Sequence, residues 1–152
     1  MSDPANVHGS AVRIGDLGIL IRGPARSGKS SLALSTLRRC AALGLDAVLV
    51  ADDRILIVRD GDTTLHMSAP ATLAGLIEIS GIGILREPCA ASAALGLVVD
   101  LVDPAIIDRL PEPRTTTILG LPIRQVDLPA RDASFGADIL ASVVLSPFAD
   151  DV

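Results

Sequence analysis

The octet Gly23-Pro24-Ala25-Arg26-Ser27-Gly28-Lys29-Ser30 has the spacing GxxxxGK(S/T), and its residue types suit the holding of a polyphosphate. Glycines let the backbone wrap closely, and successive N–H groups at a helix N-terminus face the anion. Lys29 would reach the β- and γ-phosphates, and the Ser30 hydroxyl would ligate Mg²⁺. Composition singles out the same residue: of 13 basic residues 12 are arginine, and Lys29 is the only lysine. Where a compact charge must reach between two phosphates, the planar guanidinium fork is a poor substitute. Arg26, at a free position of the octet, reads as a solvated side chain, with an added contact to a phosphate or to the acceptor as the alternative.

A second group follows the aliphatic run Ala47 to Ala51, which is expected to be a buried strand ending at Asp52-Asp53. A carboxylate there is the usual partner of a phosphate loop, because it can hold Mg²⁺ directly or through water. Adjacent side chains of an extended segment point opposite ways, so one carboxylate is expected to face metal and phosphates and the other an acceptor. Cys40 and Cys89 share no metal-ligand spacing, and each is expected to be a core thiol.

Positioning these groups requires strands and helices around the octet. Val12 to Ile14 and Leu17 to Ile21 flank Gly15-Asp16 as a hairpin, and the chain enters the octet from the second strand. Leu34, Leu37 and Ala41 then recur at helical spacing, with Gly44 as a stop. Ile55 to Val58 and Leu65 to Met67 form a second hairpin about Asp60-Gly61. Pro70 opens a short helical or irregular stretch, and Ile77 to Ile84 reads as a loop leading into a strand. Leu95 to Val102 reads as a strand and Asp103 to Pro113 as a short helix. Thr115 to Leu119 pairs with Ile123 to Leu128, and Asp132 to Leu145 closes the chain as a helix. With no internal repeat or linker, residues 1–152 are expected to form one α/β domain with a mixed sheet and hairpins.

Composition narrows the function. A net charge of −5 and an aromatic content of 1% argue against nucleic acid as a partner, which calls for a basic face and stacking rings. The most apolar stretch, Cys89 to Val99, is too short for a spanning helix. The N-terminus lacks the basic start and apolar run of a secretory signal, so a cytoplasmic location with no membrane partner is expected.

The order of elements resembles the catalytic domain of HPr kinase/phosphorylase. The resemblance is carried by His8-Gly9 ahead of the first hairpin, the loop from Gly23 to Ser30, Val50-Ala51-Asp52-Asp53, Ala69-Pro70, and Glu78-Ile79-Ser80-Gly81-Ile82-Gly83-Ile84. Weaker similarity continues through Asp108-Arg109-Leu110 and Pro129-Ala130-Arg131-Asp132 to the last helix. It implies a compact P-loop kinase fold of the phosphoenolpyruvate carboxykinase type. It also implies an enzyme that uses ATP or pyrophosphate to phosphorylate a serine of the phosphocarrier HPr, and that can reverse this by phosphorolysis. On this mapping Asp52 is the general base, His8 lies near it and influences its charge, and Lys29 completes the catalytic set. Ser30, Asp53 and Glu78 are then the Mg²⁺ ligands, and a homo-oligomer is the family's habit. The chain departs from the family pattern at Ser31, where an acid is usual, and at Ser80, where an arginine is usual.

A GTPase is excluded, since its base-reading NKxD element needs residues that the chain lacks: Asn6 is the only asparagine and Lys29 the only lysine. A small-molecule P-loop kinase, which would carry a basic lid, and a non-catalytic nucleotide-dependent regulatory module remain as alternatives.

Overall fold

β1 (Ala5–Ile14) and β2 (Leu17–Arg22) turn back on each other at Gly15, whose φ of 57° is the left-handed geometry that a tight hairpin needs. The structure is a computed structural model that describes residues 3–150. Met1 and Ser2, where the stretch read for a leader begins, lie outside the described residues. After β2 come α1 (Lys29–Ala42), β3 (Ala47–Asp60), β4 (Thr64–Ser68), β5 (Leu76–Ile79) and β6 (Gly83–Arg86). β7 (Ala93–Val102), β8 (Arg114–Ile118), β9 (Leu121–Pro129) and α2 (Ala133–Leu145) complete the order.

Seven strands form one mixed sheet in the order β2-β1-β3-β4-β7-β9-β8, and β2 also pairs in parallel with β7. The pairings β2–β1–β3–β4–β7 therefore return to β2, closing a ring from which β9 and β8 extend. Both faces of these strands are covered, which explains their aliphatic runs. On one face Val12, Ile14, Ile19, Ile21 and Leu49 meet Leu32, Leu37 and Cys40 of α1 and Leu140 of α2. On the other, Ala11, Leu20, Ile55, Ile57, Leu65 and Met67 pack together. Each fully buried aliphatic side chain of this kind contributes about 1.5–3 kcal/mol.

α1 begins at Gly28, whose φ of 92° no β-carbon tolerates well, and α2 begins at Asp132, whose carboxylate accepts from the Phe135 N–H. Among the described residues no helix is long and apolar enough to cross a membrane.

Four expectations need correction. The strand through Ala47 does not end at Asp52-Asp53; β3 continues to Asp60 because β1 pairs with it on both sides of the acidic pair. Ile77 to Ile84 is a hairpin, β5 against β6, turned at Gly81 and not a loop before a strand. Asp103 to Pro113 forms only a 3₁₀ turn at Pro104–Ile106: Asp103 caps the Ala105 N–H, and Pro111 and Pro113 exclude the residues before them from helical geometry. Cys89 is exposed, while Cys40 is buried in the core, where desolvation pushes its thiol pKa up.

Ring closure depends on close approach of β2 and β7. A β-carbon added at Gly18 would lie 2.1 Å from the Ala94 carbonyl oxygen, a backbone atom that cannot swing aside. Gly18→Ala is accordingly expected to destabilise the fold by about 2–4 kcal/mol, read as a lowered urea midpoint; an unchanged midpoint would contradict the closed ring.

Candidate active site

The phosphate loop is held at both ends. Arg22, its last strand residue, donates two 2.8 Å hydrogen bonds to the Asp100 carboxylate on β7, which holds the guanidinium pKa above its usual value. At the other end the Arg131 N–H donates to the Ser27 carbonyl at 2.9 Å, pinning the loop to the turn between β9 and α2. Inside it the Ser27 N–H donates to the Pro24 carbonyl at 3.1 Å, and Lys29 Nζ donates to the Gly23 and Pro24 carbonyls at 2.9 and 3.0 Å. A β-carbon at Gly23 would meet Ser27 Oγ at 2.5 Å and the Ser27 and Leu101 β-carbons at 3.2 Å, so any larger residue there would have to displace the Ser27 side chain.

The acidic pair is aimed by an irregularity in β3. The pairing with β1 jumps from Val12↔Leu49 to Ala11↔Ala51, leaving Val50 unpaired as a bulge. Val50 and Ala51 consequently lie in the same core cluster, and the alternation of β3 is reversed beyond them. Regular alternation from Leu49 would have turned Asp52 away from α1; the reversal turns it toward Ser30.

Asp52 is buried and its carboxylate is fully engaged. Oδ1 accepts from Ser10 Oγ at 2.6 Å and from Ser30 Oγ at 2.8 Å. Oδ2 accepts from Ser30 Oγ at 3.0 Å and from the Glu78 N–H at 3.1 Å. Asp53 points the other way, with its side chain 66% exposed and its backbone in the left-handed region at φ 71°. Such geometry in a residue with a β-carbon costs of order 1–3 kcal/mol and concentrates at functional sites.

His8 lies near Asp52, as expected, in the cavity that both line, but its direct neighbour is Asp53, with Nδ1 3.8 Å from Oδ1. The reason is register: Ser10, two residues along β1, is the cross-strand partner of Asp52 and occupies that place. The sequence reading missed Ser10; its signal was the one hydroxyl of the strand, placed just before the aliphatic pair Ala11-Val12.

One cavity of about 500 Å³ joins the groups that chemistry requires: His8, Lys29, Ser30, Asp52, Asp53 and Glu78 all line it. Glu78 reaches it from β5 with an exposed side chain, so the hairpin forms one wall. Among the described residues no three His, Cys, Asp or Glu side chains converge as a preformed metal centre. Mg²⁺ does not demand one, since it is commonly bound by one or two carboxylates together with substrate phosphates, and a loop serine hydrogen-bonded to a buried aspartate meets that requirement.

The family model described as HPr Serine kinase C-terminal domain matches residues 1–149. The chain belongs to the HPr serine kinase C-terminal domain family. An HPr kinase/phosphorylase from Polaromonas sp. (strain JS666 / ATCC BAA-500) is 31% identical over 137 residues, covering 82% of this chain and 42% of the relative. One from Acidovorax sp. (strain JS42) is 35% identical, with 82% and 41% covered. The Hpr(Ser) kinase/phosphatase structure from Coxiella burnetii superposes with a TM-score of 0.78 at 27% identity, covering 93% of this chain and 88% of that one. The fold is thus the mixed α/β P-loop kinase fold of this family, and the chain spans less than half the length of the two curated relatives.

Proposed function

We propose that the chain is a P-loop kinase domain that transfers the terminal phosphoryl group of ATP or pyrophosphate to a serine hydroxyl of HPr in the cytoplasm, and that can return it to inorganic phosphate. The observation that carries this reading is the single cavity in which Lys29 and Ser30 meet Asp52, Asp53 and Glu78. The names of the relatives supply the acceptor. In the forward direction the bond between the terminal phosphorus and its bridging oxygen breaks, and a bond from the serine oxygen to that phosphorus forms. The serine proton passes to Asp52. Lys29 neutralises charge on the phosphates, and His8 flanks the acceptor side. Ser30, Asp53 and Glu78 would hold Mg²⁺, which when bound neutralises charge on the transferred group.

One observation favours a second division of labour. The Ser30 hydroxyl donates to Asp52 and not to Asp53, which makes Ser30 and Asp52 the natural metal-side pair and leaves Asp53, beside His8, as the base. Both readings are kinases, and they separate by mutation.

Following radiolabel from ATP tests the activity itself. Label arriving on purified HPr supports the proposal; label on a metabolite points to a small-molecule kinase, and label that goes nowhere points to a regulatory module. Donor binding is expected to depend on Mg²⁺ and to show little selectivity for the base, since only Phe135 and Phe148 are aromatic. Calorimetry showing tight adenosine binding with no pyrophosphate binding would contradict this.

A further inference from the structure

Arg26 and Arg131 stand apart from most arginines of the chain. Arg22, Arg38, Arg114 and Arg124 each lie against a carboxylate, whereas Arg26 and Arg131 have no acidic partner within 4.0 Å among the described residues. Both are held in the left-handed backbone region, at φ 65° and 57°. Together with Ser31 and Ser80 they line a second cavity of about 630 Å³, within the range of about 300–1,000 Å³ usual for small-molecule sites. Neither Ser30 nor Asp52 lines it.

The two cavities are ends of one groove. A smaller hollow of about 200 Å³ lies between them, lined by Lys29, Ser30 and Glu78 in common with the first and by Ser31 and Ser80 in common with the second, while Arg26 borders all three. The groove crosses the N-terminus of α1, and its chemistry gives it a direction. Lys29, Ser30 and the two aspartates mark the terminal phosphates, so a phosphate chain leaving them passes Ser31 and then enters the cavity of the two arginines. No aromatic ring lines that cavity. The planar groups available to a base are the guanidiniums, which stack on nucleobases and also carry charge for a phosphate.

We propose that Arg131 forms the nucleoside end of the donor site, with its guanidinium against the α-phosphate and the face of the base, and that Arg26 bridges from there to the terminal phosphates. This rests on the assignment of the loop as a nucleoside triphosphate or pyrophosphate site and adds the part that tells the two donors apart. Stacking reads the face of a base and not its edge, so ATP and GTP are held alike. Pyrophosphate ends before reaching Arg131, which does not line the first cavity, and gains nothing from it.

Calorimetric titration of the chain with Mg·ATP, Mg·GTP and Mg·pyrophosphate tests this in the wild type, Arg131→Ala and Arg131→Gly. Glycine suits the backbone at φ 57°, and near-wild-type circular dichroism establishes that the variants fold. The expected result is a loss of about tenfold for both nucleotides, as for one lost stacking contact, with pyrophosphate changed by less than about twofold. Equal weakening of all three would move Arg131 to the terminal phosphates and overturn the proposal, as would unchanged binding of all three. Wild-type protein that binds neither nucleotide nor pyrophosphate would overturn the loop assignment itself, which is a different failure from either.

Discussion

Lys29→Ala is expected to fold as the wild type does and to transfer phosphate to HPr about 10²–10³-fold more slowly, the usual cost of removing one charged or hydrogen-bonding stabiliser of the transition state. The fold should survive because Lys29 Nζ touches only the Gly23 and Pro24 carbonyls of its own loop, and neither contact reaches the core. The rate should not survive because the chain offers no other lysine to take its place. Lys29→Arg is expected to fail as well: the same two carbonyls that hold the ammonium leave a forked guanidinium no single point from which to bridge neighbouring phosphates. Steady-state transfer assays on both variants, with thermal unfolding as the control for folding, check this. Wild-type turnover in Lys29→Ala would remove the phosphate loop from the chemistry.

How much of this was readable without coordinates depended on how local each signal is. The loop, α1 and the first hairpin are encoded by neighbours in sequence, in the octet spacing, the helical recurrence of Leu34 and Leu37, and Gly15 at a turn, and all formed as read. The hairpin of β5 and β6 was read only as a loop and a strand because Ile82, Ile84 and Leu85 are exposed, so no inside–outside alternation marks it. Asp103 to Pro113 has prolines at both ends like a short helix, yet it contains no residue buried against the rest of the chain to hold one. The position of the acidic pair was legible and its orientation was not. That orientation follows from the Val50 bulge, a property of pairing between β1 and β3 that neither segment announces alone. The same long-range register put Ser10, and not His8, against Asp52.

The orientation decides what the two aspartates do, and substitution at each separates their roles. Asp52→Asn preserves shape: the amide oxygen can accept from the Glu78 N–H, and the amide nitrogen can donate to the Ser10 and Ser30 hydroxyls, which turn to accept. Folding and donor binding should therefore change little. What disappears is the ability to take a proton, and if Asp52 is the base, transfer to HPr falls by about 10²–10⁴-fold with nucleotide affinity near wild type. Asp53→Asn then shows a raised Mg²⁺ requirement, recovered in part at high Mg²⁺, because a lost metal ligand weakens the metal–nucleotide complex. The Ser30–Asp52 contact predicts the reverse if it marks the metal side: Asp52→Asn becomes the Mg²⁺-dependent variant, and Asp53→Asn is slow at every Mg²⁺ concentration. Titrating Mg²⁺ against both rate and nucleotide affinity in the two variants distinguishes these outcomes. Full transfer by Asp52→Asn with an unaltered Mg²⁺ requirement would exclude both roles and reduce its three hydrogen-bond partners to a structural clasp between β1, β5 and the start of α1.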